Sequence, residues 1–86
     1  MNIYVSNLSL NIINSDLEKL FSIYGEVSRV AIVRNKINGR SKGSAIIEMP
    51  VEAQATQAIM ALDQKTIDGK QISVSEIRYK PGEFNN

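Results

Sequence analysis

The sequence predicts an α+β fold with the element order β-α-β-β-α-β, and three observations predict it. Two stretches, one from Asn14 and one from Pro50, repeat apolar residues at helical spacing. Four shorter stretches alternate polar and apolar residues or are rich in β-branched side chains. Asn38-Gly39 and Asp68-Gly69 supply turn signals before the later strands.

The elements follow in order. NIYVS, Asn2 to Ser6, alternates as a half-buried strand does, and LSLNIIN after it reads as a loop. Ser15 and Glu18 stand at capping-box spacing, and Leu17, Leu20, Phe21 and Tyr24 follow at i, i+3, i+4 and i+7, which predicts a helix with Gly25 as its stop. VSRVAIV (Val27 to Val33) and SAIIEM (Ser44 to Met49) flank the polar RNKINGRSKG and predict a hairpin with an extended loop. Pro50 suits the start of a second helix, whose inward stripe is Val51, Ala55, Ala58, Ile59 and Leu62. Asp63 to Lys70 reads as a turn-rich connection and QISVS, Gln71 to Ser75, as the last strand. The expected core is Leu17, Leu20, Phe21, Val30, Ile32, Ile47, Ala55 and Ile59. Residues 1–78 are expected to form one domain and 79–86 a short polar tail.

Strand-helix-strand, repeated, gives a four-stranded antiparallel sheet with both helices on one face, the ferredoxin-like arrangement, and leaves the other face open. Side-chain alternation puts Ser44, Ile46 and Glu48 on that open face with Tyr4 and Ser6, and turns Ala45, Ile47 and Met49 toward the helices. If Val30 and Ile32 face the core, Ala31 and Val33 join the open face. Such an architecture hosts many functions and assigns none.

Composition narrows the chemistry. With 86 residues, 43% hydrophobic and 22% charged, the chain has the profile of one small globular domain. It contains neither Cys nor His, so disulfides, thiolate and imidazole metal ligands, a thiol nucleophile and the commonest general base are all missing. No cofactor, no metal and no catalytic residue are expected. The lack of Cys suits a reducing compartment. No apolar run approaches the roughly 18 residues that span a membrane, and MNIYVSNLSL lacks the basic start and apolar stretch of a signal peptide. The expectation is a cytoplasmic protein with no membrane partner.

The net charge of +1 conceals an uneven distribution. Between Val27 and Ile47 stand five bases, Arg29, Arg34, Lys36, Arg40 and Lys42, and no acid; the rest of the chain holds five bases against nine acids. A local positive region therefore sits on an otherwise acidic domain, either a phosphate-binding surface or a solvated loop kept soluble by charge.

IYVSNL, Ile3 to Leu8, resembles the six-residue first-strand motif of the RNA recognition motif family, apolar-aromatic-apolar-x-Asn-Leu, at every specified position. KGSAIIEM, Lys42 to Met49, falls where that family carries its eight-residue third-strand motif. DLEKLFSIYGEV, Ala58-Ile59 with Leu62, and Gly69-Lys70 continue the likeness over about residues 2 to 78. The third-strand motif departs from the family: Lys42, Gly43, Ala45 and Ile47 fit, but Ser44, Ile46 and Met49 replace aromatics. Asp63-Gln64 also stands where the family often has Asn-Gly, which puts the geometry of that turn in question.

The resemblance implies an RNA-binding module that holds single-stranded RNA on the open sheet face. Base stacking is worth about 1–3 kcal/mol per base, so two missing rings imply weak binding with little sequence preference. Tyr4 is the candidate stacking residue, against the plain reading of a strand former with its hydroxyl in water; Ser44 and Ile46 flank it, and Ile46 offers van der Waals area without a π-face. Lys42 is a candidate phosphate contact, and Arg34, Lys36 and Arg40 form a diffuse electrostatic surface. Arg78 and Tyr79 follow the last strand, where a tail can return a ring to the sheet. Asn7 and Gly43 read as backbone requirements. The alternative is a module of the same fold that binds a protein partner, or itself, through the aliphatic face. An enzyme of this fold class, such as a small phosphatase, would need a glycine loop with a positioned Arg and Asn, and LSLNIIN has no Gly or Arg.

Overall fold

The computed structural model describes residues 1–77. β1 (Asn2–Ser6), β2 (Arg29–Arg34), β3 (Ser41–Glu48) and β6 (Ser73–Ile77) form one antiparallel sheet in the order β2-β3-β1-β6, and α1 (Asn14–Ser22) and α2 (Glu52–Leu62) pack on one of its faces. A separate two-residue ladder joins β4 (Thr66–Ile67) to β5 (Lys70–Gln71). This is the ferredoxin-like architecture that the element order predicts. Among the described residues no helix is long and apolar enough to cross a membrane, and no group of three or more Asp or Glu is placed to hold a metal ion.

The core is where alternation and helical spacing converge. Ile3 and Val5 of β1, Ala45 and Ile47 of β3, Val74 of β6, Leu17 and Phe21 of α1, and Ala55, Ala58 and Leu62 of α2 are buried together with Leu8, Met49 and Ile72. Of the expected core, Leu17, Phe21, Ile47 and Ala55 are fully enclosed, whereas Leu20, Val30, Ile32 and Ile59 pack on its margin, half-buried. β2 is an edge strand, so its inward residues meet the helices from one side only. In a core this small, deleting the Phe21 ring is expected to cost about 3–5 kcal/mol of a total near 5–15.

Several local expectations are corrected. Helix α1 begins two residues earlier than a Ser15 cap would place it: Ile13 is the N-cap, and the Asp16 carboxylate accepts its backbone N–H at 3.0 Å. Isoleucine has no acceptor, so only this half of the reciprocal cap exists, and Asp16 takes the place expected of Glu18. The helix also stops before Gly25, with Ile23 as its C-cap. Gly25 serves packing instead. A Cβ there would overlap the Gln54 side chain, whose Oε1 accepts the Glu26 N–H at 3.0 Å and ties the end of α1 to α2.

β3 begins at Ser41 rather than Ser44, and the last sheet strand is Ser73–Ile77 rather than Gln71–Ser75. Gln71 belongs to the small hairpin. Asp68 and Gly69 both have positive φ, 51° and 80°, the conformation that the two central residues of a tight hairpin turn require, so the segment expected as a connection pairs with itself. Gln64, at the position where the family often has Gly, takes φ 68°: the left-handed turn is kept without the glycine. Asp63 beside it accepts the Val74 N–H at 2.9 Å and the Gln64 side-chain amide at 3.1 Å, and these bonds, the backbone one foremost, hold its carboxyl below the ordinary carboxylate range. Asn7, at φ 59°, donates its side-chain amide to the Gln71 carbonyl at 2.8 Å and ties the end of β1 to the hairpin.

Candidate nucleic-acid interface

Strand register builds the site. Tyr4 on β1 lies opposite Ile46 on β3 and Ser75 on β6, and Ile46 lies opposite Ala31 on β2. Residues opposite one another share a face, so Ala31, Ile46, Tyr4 and Ser75 make a row across all four strands on the side away from the helices. Val30, opposite Ile47, and Ile32, opposite Ala45, point the other way and pack on the core, as the alternation requires. Tyr4 and Ile46 are 39% and 40% exposed, which is what a face without helix cover leaves to solvent. Ser44 is half-buried on the same strand, one side-chain row toward the loop.

Gly43 shapes the end of this face. It has φ 78°, and a Cβ on it would lie 3.0 Å from the Leu8 carbonyl oxygen, while its own carbonyl accepts the Leu8 N–H at 2.8 Å. The β2–β3 register shifts between Ile32 and Arg34, so β3 bulges at this glycine and turns Lys42 outward into solvent.

The connection between β2 and β3 carries the remaining bases, and its backbone is closed on itself. Asn35 N–H donates to the Arg40 carbonyl and Gly39 N–H to the Asn35 carbonyl, both at 2.8 Å. The Asn35 side chain accepts from Ile37 N–H at 2.8 Å and Asn38 N–H at 3.3 Å, and the Asn38 side chain accepts from Arg40 N–H at 2.9 Å. Arg34 donates from Nη1 to the Gly39 carbonyl at 3.2 Å, so its guanidinium is partly engaged in holding the loop. Lys36 and Arg40 are exposed on it. The sequence-based candidates thus divide into two groups: Tyr4, Ser44 and Ile46 on the sheet face, and Arg34, Lys36, Arg40 and Lys42 on and beside the loop at one end of it. Arg78 and Tyr79 lie outside the described residues.

At the other end of the face is a feature to which the sequence-based candidates contribute only Ile46. Asn2, Arg29, Ala31, Ile46, Glu48 and Ile77 line a shallow depression. Parity along β2 and β3 already assigns Arg29 and Glu48 to the open face; that they lie side by side follows only from the pairing of the strands.

A family model described as RNA recognition motif matches residues 3–73. The chain belongs to the RNA recognition motif family. As a member it is 37% identical over 79 residues to the chloroplastic 28 kDa ribonucleoprotein of Spinacia oleracea, covering 92% of this chain and 34% of that protein, so it spans about a third of that relative's length. It is 40% identical to RbpD of a Nostoc species, over 91% of this chain and 83% of that one. Among solved structures, the RNA binding protein PG1 superposes with a TM-score of 0.89 at 34% identity, over 94% and 98% of the two chains. A Sxl-lethal protein/RNA complex superposes with a TM-score of 0.86 at 27% identity, over 94% of this chain and 48% of that one. The domain's first-strand motif is complete, and its third-strand motif carries Ser44 and Ile46 at the open-face aromatic positions.

Proposed function

We propose that this RNA recognition motif binds single-stranded RNA on its open sheet face, weakly and with little sequence preference over most of the site. The observation that carries the reading is Tyr4 beside Ile46 at the centre of a face that neither helix covers, with a basic loop at its end. Tyr4 supplies one stacking ring, Ile46 an aliphatic surface for a second base, and Lys36, Arg40 and Lys42 attract the phosphates. One ring in place of three limits the affinity, because each stacked base contributes about 1–3 kcal/mol. The relatives named for RNA binding support the ligand class. The role is that of a binding module rather than an enzyme, and the cysteine-free composition suits the cytoplasm.

The experiment is a titration of labelled random-sequence single-stranded RNA at two salt concentrations, with light scattering on the free protein. RNA binding that weakens as salt rises is the expected result. The exposed Ile46, with Ala31 opposite it, favours a second reading in which the face docks a protein partner or another copy of the chain. Salt-insensitive association of the protein, with no RNA bound, would put that reading first.

A further inference from the structure

The depression at the far end of the open face is built from one polar row and one apolar row. Arg29 lies opposite Glu48, Glu48 opposite Asn2, and Asn2 opposite Ile77, so a row with two charges and an amide crosses the sheet. Two residues further along β2 and β3, about 6.6–6.8 Å away, are Ala31 and Ile46. The floor is therefore aliphatic and the rim carries hydrogen-bonding groups, the composition of a small-ligand site.

Glu48 is the informative residue. A carboxylate on a surface that receives a polyanion opposes phosphate binding, unless it accepts hydrogen bonds from a base. This one is also held in place: Ser28 donates its hydroxyl to Glu48 Oε1 at 2.9 Å, and the Ser28 N–H donates to the Glu48 carbonyl, again at 2.9 Å. A carboxylate has about four lone-pair sites, so one such bond orients it and leaves acceptors on both oxygens.

We infer that this depression is a base-selective subsite for guanine within single-stranded RNA, resting on the RNA reading above. The base lies over Ile46 and Ala31 and points its Watson–Crick edge at Glu48. Guanine alone among the four bases presents two adjacent donors there, N1–H and the N2 amino group, which match the two oxygens of a carboxylate. Adenine and cytosine offer one amino group beside a ring-nitrogen acceptor, and uracil offers one N–H between two carbonyls, so each aims an acceptor at the carboxylate. Arg29, on the strand beside Glu48, supplies donors for guanine O6. Glu48 is a specificity residue, and Ser28 positions it.

The test uses fluorescence anisotropy with a labelled oligouridine carrying one central guanine, adenine, cytosine or inosine, or left as uridine throughout. The guanine oligonucleotide is expected to bind about tenfold tighter than the others, and inosine, which lacks only the N2 amino group, to lose most of that preference. Glu48→Gln, checked for folding by circular dichroism and Tm, is expected to bring guanine to the level of uracil; Ser28→Ala is expected to shrink the preference without removing it. Equal affinity for all five oligonucleotides, or a guanine preference that survives in Glu48→Gln, overturns the subsite and leaves the RNA reading standing. If none of the five binds at low salt, the RNA reading fails and the subsite with it.

Discussion

Tyr4 and Ile46 sit directly opposite each other on β1 and β3, so the ring that the first-strand motif keeps lies against the aliphatic side chain that replaces a ring in the third-strand motif. Side chains so placed have Cβ atoms about 4.5–5.5 Å apart, close enough for both to touch adjoining bases of one strand. Tyr4→Ala is expected to weaken RNA binding by about 1–3 kcal/mol with little change in salt dependence. Replacing Ser44 and Ile46 by Phe adds two rings on the same face without touching the inward Ala45 and Ile47. A gain of about 1–3 kcal/mol for each ring that stacks is expected, mostly through slower dissociation. A folded, monomeric double mutant that binds no better would show that RNA does not use this face.

The loop acts by different physics. Its hydrogen bonds run through the Asn35 and Asn38 side chains and the backbone, so neutralising Arg40 and Lys42 removes charge while leaving those bonds in place. The slope of log affinity against log salt is expected to flatten by roughly 0.7 for each phosphate that the variant no longer neutralises. Identical slopes for the wild type and the Arg40→Gln/Lys42→Gln variant would make the loop a solvated surface only.

Gln64 holds a left-handed backbone, φ 68°, at the turn after α2. A side chain there costs about 1–2 kcal/mol, of which glycine's greater freedom in the unfolded chain cancels part. Gln64→Gly also removes an exposed amide bond to Asp63, at 3.1 Å, but keeps the backbone bonds of this residue. A net stabilisation of about 0.5–1 kcal/mol is expected, seen as a Tm higher by a few degrees. A lower Tm would mean that the amide bond outweighs the strain.

Asp63 makes stability depend on acid. The Val74 N–H, and secondarily the Gln64 amide, stabilise its charged form, so its folded pKa lies below the unfolded one. More protons are bound by the unfolded chain in that range, and stability therefore falls as pH falls. The contribution is present above the unfolded pKa and is lost as pH drops through the folded pKa. Asp63→Asn keeps an acceptor for Val74 but cannot titrate. Thermal melts at about pH 7 and about pH 2.5 should show a smaller acid-induced drop in Tm for this variant than for the wild type. An equal drop would assign the acid sensitivity to other carboxylates.

Local patterns in the chain identify which residues form elements and which way they point. A period of two along KGSAIIEM and IYVSNL separates Ile46 and Tyr4 from Ile47 and Ile3, and a period near 3.6 brings Leu17 and Phe21 onto one side of α1. These signals are local, carried by residues within a few positions of each other, and they survive into the structure. The tertiary structure alone decided which strands are neighbours and in what register. Alternation assigns Arg29, Glu48 and Asn2 to the open face, but the pairing of β2, β3 and β1 puts them in one row. The same holds for Gln54 against Gly25, Asn7 on Gln71 and Asp63 on Val74, each joining distant parts of the chain. The α1 cap and the β4–β5 hairpin escape a sequence reading for a related reason. At Ser15–Glu18 and at Asp63 to Lys70 more than one local arrangement satisfies the backbone, and packing of the neighbouring elements selects between them.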